Sequence, residues 1–474
     1  MIRRVVLGAV LAGLAWARGG LASSDEAAPE QASAMRRVAM TLTAEGQLFG
    51  PVTGAAEPAR QPIAMNGVFE FEEAVRPPAA EAVAVRRYAR AEATIEADDA
   101  EQRLTLAADA REVSMARLGT TPLPFLAAAY LSRDELELLE TPFDSILLED
   151  LLPGRPVASD DHWQLAGDLA AGLLAIDTVE TGTLEARIVE IVDGVARITL
   201  AGAVDGAIDG VPTHVVVDGT FTVGAEPDED GFMLVGDVTR VDATVKENRQ
   251  ASHVAAGFEI EATITITRAP VAADAEVHGE ADAVADSAAG VGDEAAASVG
   301  RRRGPGKPGM VWYRDAEGRY DLVHESGWRV VEEDAGGVVL RLLDLGALVA
   351  QCSITALPES EDAAPPAIEE VKRHVEQSLS GQFRRFDGVG ETMRADDGVR
   401  IVRVVSEGSA EGLPFRWVHY VLTDGDGHRV NVAFMCEASL EKRFADADAR
   451  LVAGLRFVAK PHREARLPRK TDMP

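Results

Sequence analysis

Gly257-Phe258-Glu259-Ile260-Glu261-Ala262-Thr263-Ile264-Thr265-Ile266-Thr267-Arg268 reads as a β-strand with two unlike faces. Phe258, Ile260, Ala262, Ile264 and Ile266 take every second position. Glu259, Glu261, Thr263, Thr265 and Thr267 fill the others. Period two sends one set to the interior of a sheet and the other to water. A sheet of such strands must cover its apolar side with something.

Working outward, the same alternation recurs. Residues 38–49, 67–74, 86–97 and 102–115 suit strands. Residues 184–192 and 195–200 flank Asp193-Gly194, the signature of a tight hairpin. Residues 213–223 and 232–245 make another pair around the acidic turn Glu226-Pro227-Asp228-Glu229-Asp230-Gly231. One helix interrupts the pattern. Ser132-Arg133-Asp134-Glu135 fits a capping box, with Leu131 as the staple and Leu136 and Leu139 following. An apolar segment at 143–152 then runs to Pro153-Gly154-Arg155-Pro156.

At 474 residues the chain exceeds one usual domain. Residues 269–308 are rich in Ala, Gly, Asp and Glu and poor in large apolar residues, so they read as a disordered acidic linker. It ends in Arg301-Arg302-Arg303-Gly304-Pro305-Gly306-Lys307-Pro308. Beyond it the pattern turns mixed. Strands are expected at 320–324, 338–343, 347–356, 399–407, 416–423 and 429–437. A helix is expected over 368–380, with the stripe Ile368, Val371, Val375 and Leu379 and a stop at Gly381. A second is expected over 440–455, capped by Ser439.

The start reads as a signal peptide over residues 1–22. Arg3 and Arg4 precede a short apolar run at 5–14, then Ala15-Trp16-Ala17 or Gly20-Leu21-Ala22 as the cleavage site. That run is too short to span a membrane. The expected location is therefore periplasmic or extracellular. Residues 23–35 read as a disordered leader and 461–474 as a disordered tail, leaving domains at 36–268 and 309–460.

A formal net charge of −31 repels nucleic acid phosphate and anionic headgroups. Cys352 and Cys436 are the two cysteines. In an exported chain they permit one disulfide, and buried free thiols are the equal alternative. Without CxxC or a Cys/His cluster, no structural zinc site is expected.

No G-x-S-x-G elbow or known cysteine signature offers a nucleophile. His324-Glu325-Ser326-Gly327-Trp328 lacks the second histidine of a zincin and reads as a strand end. Asp424-Gly425-Asp426-Gly427-His428 lacks the later Gly and Glu of a calcium loop and reads as a turn, as does Asp228-Glu229-Asp230-Gly231. The most site-like cluster of the first domain is Asp160-Asp161-His162-Trp163, where His162 beside carboxylates suits a base or ligand. The competing reading makes Asp161 and His162 loop and Trp163 a core anchor. Trp312, Tyr313, Tyr320, Trp328, Trp417 and Tyr420 gather the aromatics, as core or as an exposed partner patch.

Tyr320-Asp321-Leu322-Val323-His324-Glu325-Ser326-Gly327-Trp328-Arg329-Val330 resembles the strand, Gly-Trp, strand opening of the PsbP/Mog1/DcrB-like family. The order of elements up to Leu455-Arg456-Phe457 is similar too, over residues 311–458. The resemblance implies a small α/β sandwich used for binding or assembly, with no shared catalytic residues. Residues 36–268 are similar to the open β-barrels of bacterial lipoprotein carriers.

The expected class is α+β. A curved antiparallel sheet, an open or half barrel with one or two helices, precedes a PsbP/Mog1-like α/β sandwich. The expected function is a non-enzymatic exported binding or assembly protein without cofactor or metal. Its partner is a protein or an apolar small molecule. A carrier of a lipid-like ligand in the first domain is the alternative, and a hydrolase comes third.

Overall fold

The structure is a computed structural model. It describes residues 35–49, 60–76, 83–97, 100–208, 210–229, 231–250, 257–271, 303–344, 347–359 and 364–458. The expected signal peptide, nearly all of the leader, the middle of the linker and the C-terminal tail lie outside them. The described residues divide into two compact units. One holds those up to Trp312 together with Glu325–Arg329 and Arg341–Val349; the other holds Tyr313–His324, Val330–Leu340 and those from Ala350 onward.

The expected α+β class is corrected. Of the described residues 64 % are in strands and 15 % in helices, and a twelve-stranded sheet dominates. The expected C-terminal α/β sandwich gives way to a mostly β arrangement for two physical reasons. Strands form where no alternation marks them, and the expected helix at 440–455 breaks in two.

In chain order the first part forms β1 (Met35–Phe49), β2 (Arg60–Val75), β3 (Ala84–Ala97), β4 (Ala100–Thr105), β5 (Glu112–Leu118), β6 (Thr121–Phe125), the two-residue β7 (Leu131–Ser132) and β8 (His162–Gln164). It continues with β9 (Thr178–Val192), β10 (Val195–Ile208), β11 (Val211–Asp228), β12 (Gly231–Arg249) and β13 (Gly257–Pro270). The large sheet runs β6-β5-β3-β2-β1-β13-β12-β11-β10-β9-β8, with β4 on β3. Its neighbours pair antiparallel. The β9–β10 turn is Asp193-Gly194, both at positive φ (51° and 76°), the backbone a tight hairpin turn requires.

Alternation holds through the sheet. In β13, Ile260, Ala262, Ile264 and Ile266 are buried while Glu259, Glu261, Thr263 and Thr267 are exposed. The apolar face is covered by residues 126–176, here termed the strap. The strap contains α1 (Arg133–Leu139), a 3₁₀ helix (Ser145–Leu151) and α2 (Gly167–Leu174). The capping box at Ser132 and Glu135 forms. Leu136, Phe143, Leu147, Leu148, Leu151 and Leu173 join the strand side chains in one core.

The linker's two described ends are ordered. Ala269 and Pro270 extend β13. Gly304 N and Gly306 N donate to Ala128 O and Ala127 O at 3.2 and 3.3 Å. A Cβ on Gly306 would stand 1.5 Å from Leu126 O, so only glycine permits this approach.

From Met310 onward the chain forms β14 (Met310–Arg314), β15 (Tyr320–Glu325), β16 (Trp328–Glu333), β17 (Gly337–Asp344), β18 (Ala347–Leu357), β19 (Phe383–Met393), β20 (Arg400–Ala410), β21 (Leu413–Thr423), β22 (Arg429–Glu437) and β23 (Leu455–Phe457). Seven of these form a sheet in the order β16-β17-β18-β22-β21-β20-β19. The helix α3 (Ile368–Leu379) lays Val371 and Val375 on Val402, Val404 and Val421. It ends at Ser380, at φ 48°, one residue before the expected glycine. The other expected helix splits into α4 (Glu441–Phe444) and α5 (Ala447–Gly454), because Ala445 takes a positive φ of 45° between them.

Candidate functional sites

A buried charge network ties the strap to the sheet. Register sets it up: Glu73 on β2 stands opposite Arg86 on β3, and Arg36 on β1 stands opposite Glu73. Arg86 Nε donates to Glu73 Oε2 at 3.0 Å. Its Nη1 donates to Asp144 Oδ2 at 3.0 Å, and its Nη2 to Ser145 Oγ at 2.9 Å. Ser145 Oγ donates to Glu73 Oε2 at 2.6 Å. The guanidinium also lies 4.8 Å from the Phe71 ring centroid. Asp144 caps the 3₁₀ helix by accepting Ile146 N–H. Burial pushes the Tyr88 phenol up to about 12, against the pull of Arg86.

A second cluster continues along the same end of the sheet. Arg36 Nη1 and Arg268 Nη1 approach Glu149 Oε1 on the 3₁₀ helix at 3.3 and 2.7 Å. Arg36 Nη2 lies 3.3 Å from Asp237. Sequence reading missed both clusters, though a signal was present. Arg36, Glu73 and Arg268 share parity with Val38, Phe71 and Ile266, and a charge in an inward position needs a partner brought from elsewhere. Every polar nitrogen of Arg86 is occupied, so this network fastens the strap and has no donor left for a ligand.

The cluster Asp161, His162 and Trp163 does not converge. The Asp161 carboxylate pairs with Arg155 at 2.7 Å, which holds it below the usual carboxylate range. His162 is exposed on β8, opposite Arg187. Trp163 is half-buried against the core and donates its Nε1–H to Leu151 O at 2.9 Å. Trp163 thus pins the strap, while His162 points to solvent.

Asp424, Asp426 and His428 bring ligand-type atoms within 4.8 Å of one another. Asp424 Oδ1 accepts the N–H of Asp426 and of His428 at 3.0 and 2.9 Å, and Oδ2 meets His428 Nδ1 at 2.7 Å. These bonds build the β21–β22 turn from within. Asp228 Oδ1 accepts the N–H of Glu229 at 2.8 Å, and Asp230 lies outside the described residues. His324 is buried on β15. Tyr313, Tyr320, Trp328, Trp417 and Tyr420 are all buried, which makes them core rather than an exposed patch.

Cys352 and Cys436 lie on neighbouring strands, β18 and β22. Both are buried free thiols. The register pairs Cys352 with Phe434 and Ala350 with Cys436, so the two thiols are diagonal neighbours on one face.

Two cavities under the strap measure about 10 and 20 Å³. A third, of about 890 Å³, is an open groove across β3, β2, β1 and β13. Glu96, Glu45 and Glu261 line it, with Ala64, Thr43 and Thr263. Register places Glu45 directly opposite Glu261, and Lys246 on β12, on the far side of Glu261, offsets the like charges by pairing with it at 3.0 Å. No histidine or cysteine lines any of the three cavities. No helix among the described residues is long and apolar enough to cross a membrane.

No family model matches the chain, and no curated protein does. Among solved structures it is similar to PsbP of the cyanobacterium Synechocystis, at 12 % identity and a TM-score of 0.27, over 32 % of this chain and 93 % of that one. It is similar to lipovitellin at 7 % identity and a TM-score of 0.27, over 52 % of this chain and 26 % of that one. It is also similar to the outer membrane protein OprD of Pseudomonas aeruginosa, at 7 % identity and a TM-score of 0.12, over 85 % and 93 % of the two chains.

Proposed function

We propose that the protein is an exported, non-enzymatic binding or assembly protein that works through its outer surfaces. The observation that carries this reading is the small size of the two cavities described beneath the strap. Cavities of about 10 and 20 Å³ have room for a water molecule at most. A small-molecule site takes roughly 300–1,000 Å³. The large open groove is lined by three carboxylates, of which Glu261 is paired with Lys246 at 3.0 Å and Glu45 and Glu96 face outward, a lining that suits a polar protein surface better than an acyl chain.

Titration of the full chain with a fluorescent fatty acid analogue tests the reading. The expected result is no saturable binding by folded protein. Saturable binding abolished by Ala262→Trp, which fills the inner face of β13, would establish the carrier instead. Native mass spectrometry of protein from its own host then shows whether a protein partner or a lipid travels with it.

A further inference from the structure

Val311 follows the linker in sequence, yet it is buried in the core of the first unit, in one cluster with Leu131, Leu136, Leu138 and Leu139. The residues before it run along the lead-in to α1. Arg303 bridges Ala129 antiparallel, and Gly304 N and Gly306 N donate to Ala128 O and Ala127 O. Val311 and Trp312 then pair parallel with Leu131 and Ser132 of β7. A parallel pair cannot be closed by a hairpin, and the linker supplies the long connection it needs. Ser132 is the N-cap of α1, so the pairing ends on the residue that starts the helix.

We propose that residues 303–312 are a clasp that keeps the first half of the strap closed on the sheet. The two halves of the strap are held by different means. Asp144, Ser145 and Glu149 tie the 3₁₀ half to arginines of the sheet. None of these three residues is in α1, which meets the core through Leu136, Leu138 and Leu139. A helix of seven residues is too short to persist on its own. Its fixed points come from beyond the linker. Gly309 O accepts the N–H of Ser326 at 2.8 Å, and Ser326 O accepts from Arg133 Nη1 at 3.4 Å. At the other end of the helix Glu140 stands 3.8 Å from Arg329. All of these residues belong to the first unit.

The sequence of the clasp suits this task. Pro305 and Pro308 each fix their own backbone and bias Gly304 and Lys307 away from helix, so the segment loses little freedom on docking. Gly306 passes so close to the strap that a Cβ would stand 1.5 Å from Leu126 O and 2.6 Å from Ala129 O, both backbone atoms. A Cβ on Gly304 would stand 2.7 Å from Cε2 of Tyr130, a side chain that can swing aside. The two glycines therefore offer a severe and a mild way to lift the clasp. The opposing reading makes the contacts a passive surface seam, and it predicts that lifting them leaves α1 as it was.

Amide hydrogen exchange of the full chain, resolved by peptide, tests the clasp. Gly306→Ala should raise exchange over α1 about tenfold or more and leave the 3₁₀ helix unchanged, because Arg86 still holds Asp144 there. Gly304→Ala should give a smaller rise confined to the same helix, and it decides the matter if Gly306→Ala does not fold. Unchanged exchange over α1 in a folded variant overturns the proposal. An equal rise over α1 and the 3₁₀ helix overturns it too, since residues 303–312 would then support the unit as a whole and not the first half of the strap.

Discussion

Arg86 grips Asp144 through two parallel contacts, Nη1 to Oδ2 at 3.0 Å and Nη2 to Oδ1 at 2.5 Å, with both side chains almost wholly buried. One residue is on a sheet strand and the other begins the 3₁₀ helix of the strap. The pair therefore couples the fold's cover to its sheet. A buried ion pair adds little net stability over an apolar substitute, but losing one member strands the other's charge.

Replacing Arg86 with Met should accordingly destabilise the first unit by about 3–5 kcal/mol, since Glu73 and Asp144 would both remain buried without their cation. Urea unfolding of the variant measures this. A loss below about 1 kcal/mol would show that the carboxylates are not dependent on Arg86.

Much of the large sheet is legible from alternation alone. Ile260, Ala262, Ile264 and Ile266 fall inside, as period two demands, and the Ser132 capping box forms. The strap was only partly legible. Leu147, Leu148 and Leu151 follow no α-helical stripe because their segment is 3₁₀, and Phe143 precedes it at a positive φ of 57°. The helix α2 is eight residues long, carries two glycines and has no side-chain cap, so no local signal marks it. The edge strand β19 hides for a different reason. With neither face buried it has no alternation to read. Of the candidate sites, the ion network was the least legible, because Arg86 and Asp144 are brought together across 58 positions of sequence.

Gly172 gives a test of how closely the strap sits on the sheet. A Cβ there would stand 2.0 Å from Thr120 O, a backbone atom in the β5–β6 turn that cannot swing aside. Glycine to alanine inside a helix normally stabilises by about 1 kcal/mol. Here the sign should reverse, with Gly172→Ala lowering stability by about 1–3 kcal/mol. A thermal midpoint equal to or above that of the parent chain would refute the close docking of α2.

The cysteines should titrate as two thiols. Diagonal neighbours across an antiparallel pair stand about 7–8 Å apart, beyond the roughly 4.4–6.8 Å that a disulfide spans. Burial also pushes the Cys436 thiol up to about 11 and the Cys352 thiol well above its ordinary value. Both thiols should be slow to react with a thiol reagent in the native protein. Denatured, unreduced protein should then release two equivalents of colour, and none released would mean that the strands shift to allow a bond.

The last expectation concerns acid. His419 is buried on β21, with Val404 and Ala433 opposite it on β20 and β22, and its Nε2 has no hydrogen-bond partner among the described residues. It shares parity with Val421, under α3, where His374 is the neighbouring charge source. Burial, with His374 adding to it, lowers the imidazole to about 4 from an ordinary 6.5. The folded state therefore binds fewer protons than the unfolded state between pH 4 and 6.5. By linkage this contribution to stability is fully present above about pH 6.5, fades as the pH falls toward 4, and is gone below. A shift of this size corresponds to about 3 kcal/mol. Carboxylates elsewhere also titrate at the acid end, so the comparison must isolate the imidazole. His419→Leu keeps an apolar side chain among the valines and has no proton to bind. Urea unfolding of the parent and the variant, from pH 7.5 down to 4, should give curves that converge or cross by about that amount in favour of the variant. Parallel curves would mean that His419 accepts a proton in the folded state as readily as in water, and that the α3 face is open to solvent.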